Sequence, residues 1–299
     1  MIPAVVISGT LALLLAALFL RERRHQPLSF ARYFPGFKPL LASHRGYGKY
    51  GPIAENTLPA FAASEKLGFR AHEFDVRRTA DGAVVLLHGP KLQNTTDGSG
   101  RIENSDLADI RRLDAAHYLT RTGSAGKTRP VPLPTLAEVL SQIPEHSALN
   151  IEIKRDRWDL TPGLEDLTVR VVTLANAERR VCFSGFHFLT LWNLRRFRSG
   201  IPIGLLIEPG PWAVLKLHLY RFLLLPDNIH LHFSTATPQL LAKLKKRGYG
   251  LAFWTVNDED VARGLFELGA DIVITDKMEF IRKFPAPKPQ PAAAKRRKR

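Results

Sequence analysis

Short apolar runs alternate with longer amphipathic ones from residue 40 to residue 275. LLASH (40–44), AHEFDV (71–76), AVVLLH (83–88), ALNIEIK (148–154), RVCFSG (180–185), PIGLLI (202–207), NIHLHF (228–233), LAFWTV (251–256) and DIVIT (271–275) have the length and residue content of strands. Between them, TLPAFAASEKLG (57–68), TLAEVLSQI (135–143), LEDLTVRVVTLANA (164–177), FLTLWNLRRF (188–197), PQLLAKLKKRG (238–248) and EDVARGLFELG (259–269) space their apolar residues as helices do. Eight or nine strands with helices between them, over residues 39–283, predict a (β/α)8 TIM barrel, with a doubly wound sheet as the alternative. The stretch PGPWAVLKLHLYRFLLLP (209–226) breaks the rhythm; its periodicity favours an ordinary core helix over one lying on a bilayer or against the barrel mouth.

The ends differ from the middle. Residues 1–20 carry no charged side chain. At about 1.5 Å per residue they match the hydrocarbon thickness of a bilayer, which predicts a retained, single-pass transmembrane anchor. A cleaved signal peptide fits less well, because no basic residue precedes the run and Arg21-Glu22-Arg23-Arg24 stands where a small-residue cleavage site would be. That basic cluster places the rest of the chain on the cytoplasmic side of the membrane. Residues 21–38 read as a membrane-proximal linker. Residues 284–299 read as a disordered basic tail able to touch anionic lipid.

Charge narrows the partners. Forty-three Lys and Arg against 28 Asp and Glu give +15, which favours phospholipid surfaces and phosphorylated substrates. No nucleic-acid motif accompanies the aromatic residues, so no nucleic-acid partner is expected. Cys182 is the single cysteine, which excludes an intramolecular disulfide, and its apolar setting reads as buried packing.

Strand alternation then brings reactive groups together. Glu73 and Asp75 share one face of AHEFDV, and Asn150, Glu152 and Lys154 share one face of ALNIEIK. Barrel strands are ordinarily apolar on both faces, and catalytic groups sit at their C-terminal ends. Three carboxylates meeting there repel one another, and a divalent cation removes the conflict; an all-oxygen donor set suits Mg2+ or Ca2+ better than Zn2+. The plainer reading gives each carboxylate its own Arg or Lys. The repeat of the same spacing in two strands, with His44 and His88 closing two others, favours a site. Those histidines suit a general acid and base, and Arg45 and Lys154 suit a phosphate. His230 and His232 lie in a strand that can carry one of them to the mouth; His25, His117, His146, His187 and His218 read as linker, surface or packing residues.

His44-Arg45-Gly46, Glu55-Asn56-Thr57 with Pro59-Ala60-Phe61, Glu73-x-Asp75-Val76, Thr79-x-Asp81-Gly82, Val85, His88, Glu152-x-Lys154, Trp254-Thr255-Val256-Asn257 and Thr275-Asp276 follow in order. Over about residues 40–282 this resembles the glycerophosphodiester phosphodiesterase family. The resemblance implies a (β/α)8 barrel that hydrolyses glycerophosphodiesters, or lysophospholipids, to an alcohol and glycerol phosphate. It implies Mg2+ or Ca2+ on Glu73, Asp75 and Glu152, with Glu55 as an additional ligand or a support for the others. His44 and His88 become the acid/base pair, and Arg45, Lys154 and Trp254 the residues that hold substrate and phosphate. Attack by the substrate's own glycerol hydroxyl, through a cyclic phosphate, is compatible with the paired histidines. Two positions depart from the family pattern: Gly89 stands where Asp is usual after the second histidine, and Ala54 where Pro is usual. Two alternatives remain: a phospholipase D-like or phosphoinositide-cleaving enzyme on the same fold, and a non-catalytic barrel that binds lipid or phosphate esters.

Overall fold

β2 (Ala71–Arg78) organises the sheet. It runs parallel to β1 (Leu40–His44) on one side and β4 (Ala148–Ile153) on the other, and its last three residues also pair antiparallel with β3 (Val84–Leu86). From β4 the parallel order continues through β5 (Val181–Gly185), β6 (Ile203–Ile207), β7 (Asn228–His232), β8 (Gly250–Trp254) and β9 (Ile272–Thr275) back to β1. Eight strands therefore close into a (β/α)8 barrel, which rules out the open doubly wound sheet. The outer layer holds α1 (Leu58–Leu67), α2 (Leu136–Gln142), α3 (Leu164–Leu174), α4 (Phe188–Phe197), α5 (Ala213–Leu224), α6 (Pro238–Lys246) and α7 (Glu259–Glu267). The structure is a computed structural model and describes residues 17, 19–34, 39–49, 51–121, 130–155, 163–197 and 199–285.

The sequence expectation for AVVLLH needs correction. It is a three-residue strand outside the ring, so His88 lies beyond it and does not close a barrel strand. β2 runs past the end of β1, which leaves the β1-side edge of Val76–Arg78 free to pair with β3, and a short apolar run carries no mark of which direction it will pair.

Local signals fix the helices. Thr57 accepts from the Ala60 amide at the start of α1, Pro59 lies in its first turn, and Gly68 ends it at φ 107°. Thr135 and Glu138 form a reciprocal capping box on α2. One face of each strand packs outward: Phe74, Ile151, Phe183, Leu205, Leu231 and Phe253 are fully buried in the layer shared with the helices. The other face lines the barrel interior, where Leu40, Ala42, Ala71, Cys182, Ala252, Ile272 and Ile274 form a separate cluster with Phe30.

Phe30 belongs to the stretch 21–38 that reads as a linker, and the structure places it in the core. The interior near the floor is lined by alanines and by Gly250, whose absent Cβ would lie 3.0 Å from the Phe30 ring, so an aromatic ring fits where no strand supplies one. The Phe30 amide donates to Asn228 Oδ1 (3.1 Å) and the Leu28 amide to Asp227 Oδ1 (3.0 Å). Residues 19–24 are helical, and Glu22, only 3 % exposed, ion-pairs with Arg221 (2.6 Å) and with Arg247. The expected span 1–20 lies mostly outside the described residues. Among those described, no helix is long and apolar enough to cross a membrane. The basic tail lies outside them from residue 286 onward.

The segment 209–226 also differs from its core-helix expectation. α5 takes its place in the outer layer but buries only Ala213, Leu217 and Leu224, while Trp212, Val214, Leu215 and Leu219 are exposed.

Candidate active site

Strand alternation delivers the carboxylates to one point. Register places Glu73 beside Asn150 and Asp75 beside Glu152, all on the interior face of β2 and β4. One oxygen from each of Glu73, Asp75 and Glu152 lies within 4.8 Å of the other two, and all three residues are buried. Lys154 Nζ donates to Glu152 Oε1 (2.5 Å) and lies 3.1 Å from Asp75 Oδ1. Arg45 Nε approaches Asp75 Oδ2 at 3.4 Å, and Asn56 Nδ2 donates to the same oxygen at 3.0 Å.

The cations do not serve the carboxylates equally. Burial opposes ionisation of Asp75, yet the nearby Lys154 and Arg45 outweigh it and hold the carboxyl well below the usual range. Burial, with Asp75 and Glu152 as like charges, drives Glu73 well above it. Burial also raises Glu152, against the pull of Lys154. Glu73 Oε2 is a buried oxygen with no hydrogen-bond partner among the described residues. An orphaned oxygen in an all-oxygen cluster is what a hard divalent cation would satisfy, so the residues fit Mg2+ or Ca2+.

His44 ends β1 over this cluster. Its Nδ1 lies 2.7 Å from Asp276 Oδ1, its Nε2 accepts from Arg45 Nε at 3.2 Å, and Nε2 is 3.8 Å from Glu73 Oε2. The carboxylate fixes the proton on Nδ1 and leaves Nε2 as the acceptor, its lone pair met by Arg45 Nε at the edge of the site. Burial works against ionisation of Asp276, and its bond to His44 more than compensates, holding the acid below the usual range. The turn after His44 is held in left-handed conformations at Arg45 (φ 53°) and Gly46 (φ 88°), and Asn56 (φ 57°) adopts one as well. Such conformations at non-glycine residues cost about 1–3 kcal/mol each. The Asn56 amide bonds the Arg45 carbonyl (2.8 Å), so the two strained residues brace each other and both reach Asp75.

His88 arrives by a different route. The Arg77 guanidinium donates twice to its carbonyl, from Nε (3.0 Å) and Nη2 (2.9 Å), and presents the ring to the cavity. Burial lowers its pKa to about 3 against the pull of Asp75, with Arg45 and Lys154 adding to the drop. Asn94 Nδ2 lies 3.0 Å from where a Cβ of Gly89 would be, so a side chain at this position would meet the amide.

The open cavity has a volume of about 330 Å³ and is bordered by His44, Arg45, Glu73, His88, Glu152 and Lys154 on one side. Phe186, Leu206, Glu208 and Trp254 border the other. Trp254 is held by edge-on contacts to Phe186 (5.3 Å) and His232 (5.2 Å). Glu55 lies outside the three-carboxylate cluster: it accepts from Arg45 Nη1 at 2.9 Å and backs the arginine that approaches Asp75. His230 is buried in the barrel interior and does not border the cavity, and His232 bonds Ser234 Oγ at 2.7 Å.

This arrangement, acidic cluster, histidine–carboxylate pair and two phosphate-sized cations at the mouth of a barrel, coincides with a match of residues 44–280 to the glycerophosphoryl diester phosphodiesterase family. The chain belongs to that family. A glycerophosphodiester phosphodiesterase of Caldanaerobacter subterraneus subsp. tengcongensis is 32% identical over 249 residues, covering 82% of this chain and 96% of that one. The structure of an Oleispira antarctica phosphodiesterase in complex with the product sn-glycerol-3-phosphate superposes with a TM-score of 0.66 at 28% identity, covering 82% of this chain and 96% of the other. A glycerophosphodiester phosphodiesterase from Agrobacterium tumefaciens, at 20% identity and a TM-score of 0.67 over 82% of this chain and 99% of that one, shares the fold. As a member of the glycerophosphoryl diester phosphodiesterase family, the chain is a phosphodiesterase for glycerophosphodiesters.

Sequence reasoning left two of the site's residues without a role. Asp276 stands in the Thr275-Asp276 pair directly after β9, and the strand-end rule that selects His44 would also have selected it. Asn56 had no such signal, because its bond to Asp75 depends on a left-handed turn that only the fold reveals.

Proposed function

We propose that the protein hydrolyses glycerophosphodiesters to an alcohol and glycerol phosphate, or lysophospholipids to an alcohol and lysophosphatidic acid, with a divalent metal ion and a pair of histidines. The observation that carries this reading is the meeting of Glu73, Asp75 and Glu152 beside His44. A Mg2+ or Ca2+ ion held by these carboxylates supplies positive charge to the phosphoryl oxygens. Lys154 and Arg45, already charged and partly neutralised by the cluster, hold the phosphate between them and the rim. His44 Nε2 takes the proton of the attacking hydroxyl, from water or from the substrate's own glycerol, and Asp276 stabilises the imidazolium that results. His88 returns a proton to the leaving alcohol. Its low pKa, set first by burial, belongs to the free site; the negative charge of a bound phosphodiester favours the imidazolium and raises it. Trp254 and Phe186 shield the organic part of the substrate from water.

A non-catalytic reading rests on Gly89, which leaves His88 without the usual neighbouring acid. The intact His44–Asp276 pair favours turnover. We further propose that the uncharged run 1–20 anchors the chain in a membrane as a single pass, with the barrel on the cytoplasmic side and the basic tail 284–299 touching anionic lipid. Phosphorus NMR of glycerophosphocholine, glycerophosphoglycerol and lysophosphatidylcholine incubated with the protein tests the reaction. Glycerol phosphate, or lysophosphatidic acid from the lysolipid, is expected from the wild type and not from His44→Gln. Absence of either product from every substrate would end the reading, and equal rates in His44→Gln would remove the histidine from it.

A further inference from the structure

Charge is unevenly distributed over the outer helices. α4, α5 and α6 read FLTLWNLRRF, AVLKLHLYRFLL and PQLLAKLKK and hold no Asp or Glu. The other four all carry acids: Glu65 on α1, Glu138 on α2, Glu165 and Asp166 on α3, Glu259 and Asp260 on α7. Arg196, Lys216, Lys243 and Lys246 are exposed on the acid-free sector and make no ion pair among the described residues. α5 and α6 follow β6 and β7, which pair in the barrel, so the two helices are neighbours in the outer layer.

The same sector exposes apolar side chains. Trp212 is 65% exposed, and Val214, Leu215 and Leu219 are 51%, 59% and 49% exposed. Trp212, Leu215 and Leu219, spaced three and four apart, form one stripe down α5. The face continues onto α4: Trp192 stacks on Phe188 at 6.1 Å, and Phe188 meets Tyr220 of α5 edge-on at 5.3 Å. α5 spans the height of the barrel. At the mouth, Trp212 follows Glu208 of the cavity rim by four residues. At the floor, Arg221 holds Glu22, next to the exposed Phe19 and Leu20. Residues 1–16, which lead into that helical turn, carry no charged side chain.

We propose that the α4–α5 face lies on an anionic phospholipid bilayer, with the barrel on its side and the rim beside Glu208 and Trp212 level with the headgroups. Tryptophan and aliphatic residues flanked by Lys and Arg are the composition of a surface set at the headgroup–acyl boundary. Phe19 and Leu20, which the apolar run precedes in sequence, lie at the same edge of the molecule. A second copy fits this face poorly, because a self-complementary contact would set one acid-free basic surface against another. The orientation does not depend on which diester is cleaved.

The test uses the full chain in vesicles of phosphatidylcholine and phosphatidylglycerol. Cys182→Ala removes the native thiol, and a nitroxide is attached in turn at Leu215→Cys, Leu219→Cys and, on α3, Leu174→Cys, where the native leucine is 83% exposed. Nitroxides at 215 and 219 are expected to collide with oxygen more than with a water-soluble nickel complex, and the nitroxide at 174 the reverse. Brominated phospholipid is expected to quench tryptophan emission, and Trp212→Phe to lose much of that quenching. A water-accessible nitroxide at 215 in vesicle-bound protein would overturn the proposal. So would a narrow distance between the 215 labels of two chains, which would assign the face to a second copy.

Discussion

Glu73→Gln should stabilise the metal-free protein while abolishing its response to metal, an unusual pairing for a buried residue. In the fold Glu73 lies within 4.8 Å of two other carboxylates and leaves Oε2 without a partner. Two like charges about 5 Å apart repel by about 3 kcal/mol at an effective dielectric constant of about 20. Protonation of Glu73, whose pKa is raised well above the ordinary value, relieves part of this at neutral pH. A neutral amide of the same shape should therefore gain about 1–3 kcal/mol, or a rise in Tm of about 3–10 °C for a domain of this size. The sign with pH follows from the direction of the shift. A raised folded-state pKa means that wild-type stability is fullest below about pH 4.5 and falls as pH climbs through the raised value, whereas Glu73→Gln lacks that decline. Added Mg2+ or Ca2+ should raise the wild-type melting point, by about 2.7 kcal/mol of stability at a hundredfold excess over Kd. The variant should show little of this. Differential scanning calorimetry in EDTA and across a metal titration, at pH 5 and pH 8, reads all three effects. A variant less stable than wild type in EDTA, or equally stabilised by metal, would refute the reasoning.

Asp276→Asn removes the carboxylate that orients His44 and should lower kcat about ten- to a hundredfold with little change in melting temperature; steady-state kinetics beside a thermal melt separates that from a folding defect. Phe30→Ala empties the barrel floor and should cost about 3–5 kcal/mol in urea unfolding. His230, held neutral by burial with its pKa lowered to about 3, must take up a proton on unfolding in acid, so stability is lost as pH falls below the unfolded value. Between pH 7 and pH 4.5 this one residue should account for about 2–3 kcal/mol, and urea titrations at the two values should show a smaller acid loss in His230→Gln.

Much of the barrel and most of its mouth were legible in the sequence because strand alternation has a period of two. Glu73, Asp75, Glu152 and Lys154 face inward, and Phe74 and Ile151 outward, as that period requires. β3 forms where a strand is expected, but the apolar run 83–87 does not say whether its pairing will be parallel, and that choice decides how His88 reaches the site. Phe30 sits in a short basic, aromatic-containing stretch with no strand or helix period long enough to read, and only the small side chains lining the barrel floor give it a place to go. The α5 stripe was taken for core because apolar periodicity marks a face of a helix without saying whether protein covers it.

The most direct test of the account is turnover of glycerophosphocholine by protein stripped with EDTA and titrated with Mg2+ or Ca2+. No glycerol phosphate is expected from the stripped protein, and recovery should saturate at one bound ion per chain, with no recovery in Glu73→Gln or Glu152→Gln. Full activity in EDTA, or the same metal response in those variants, would contradict it.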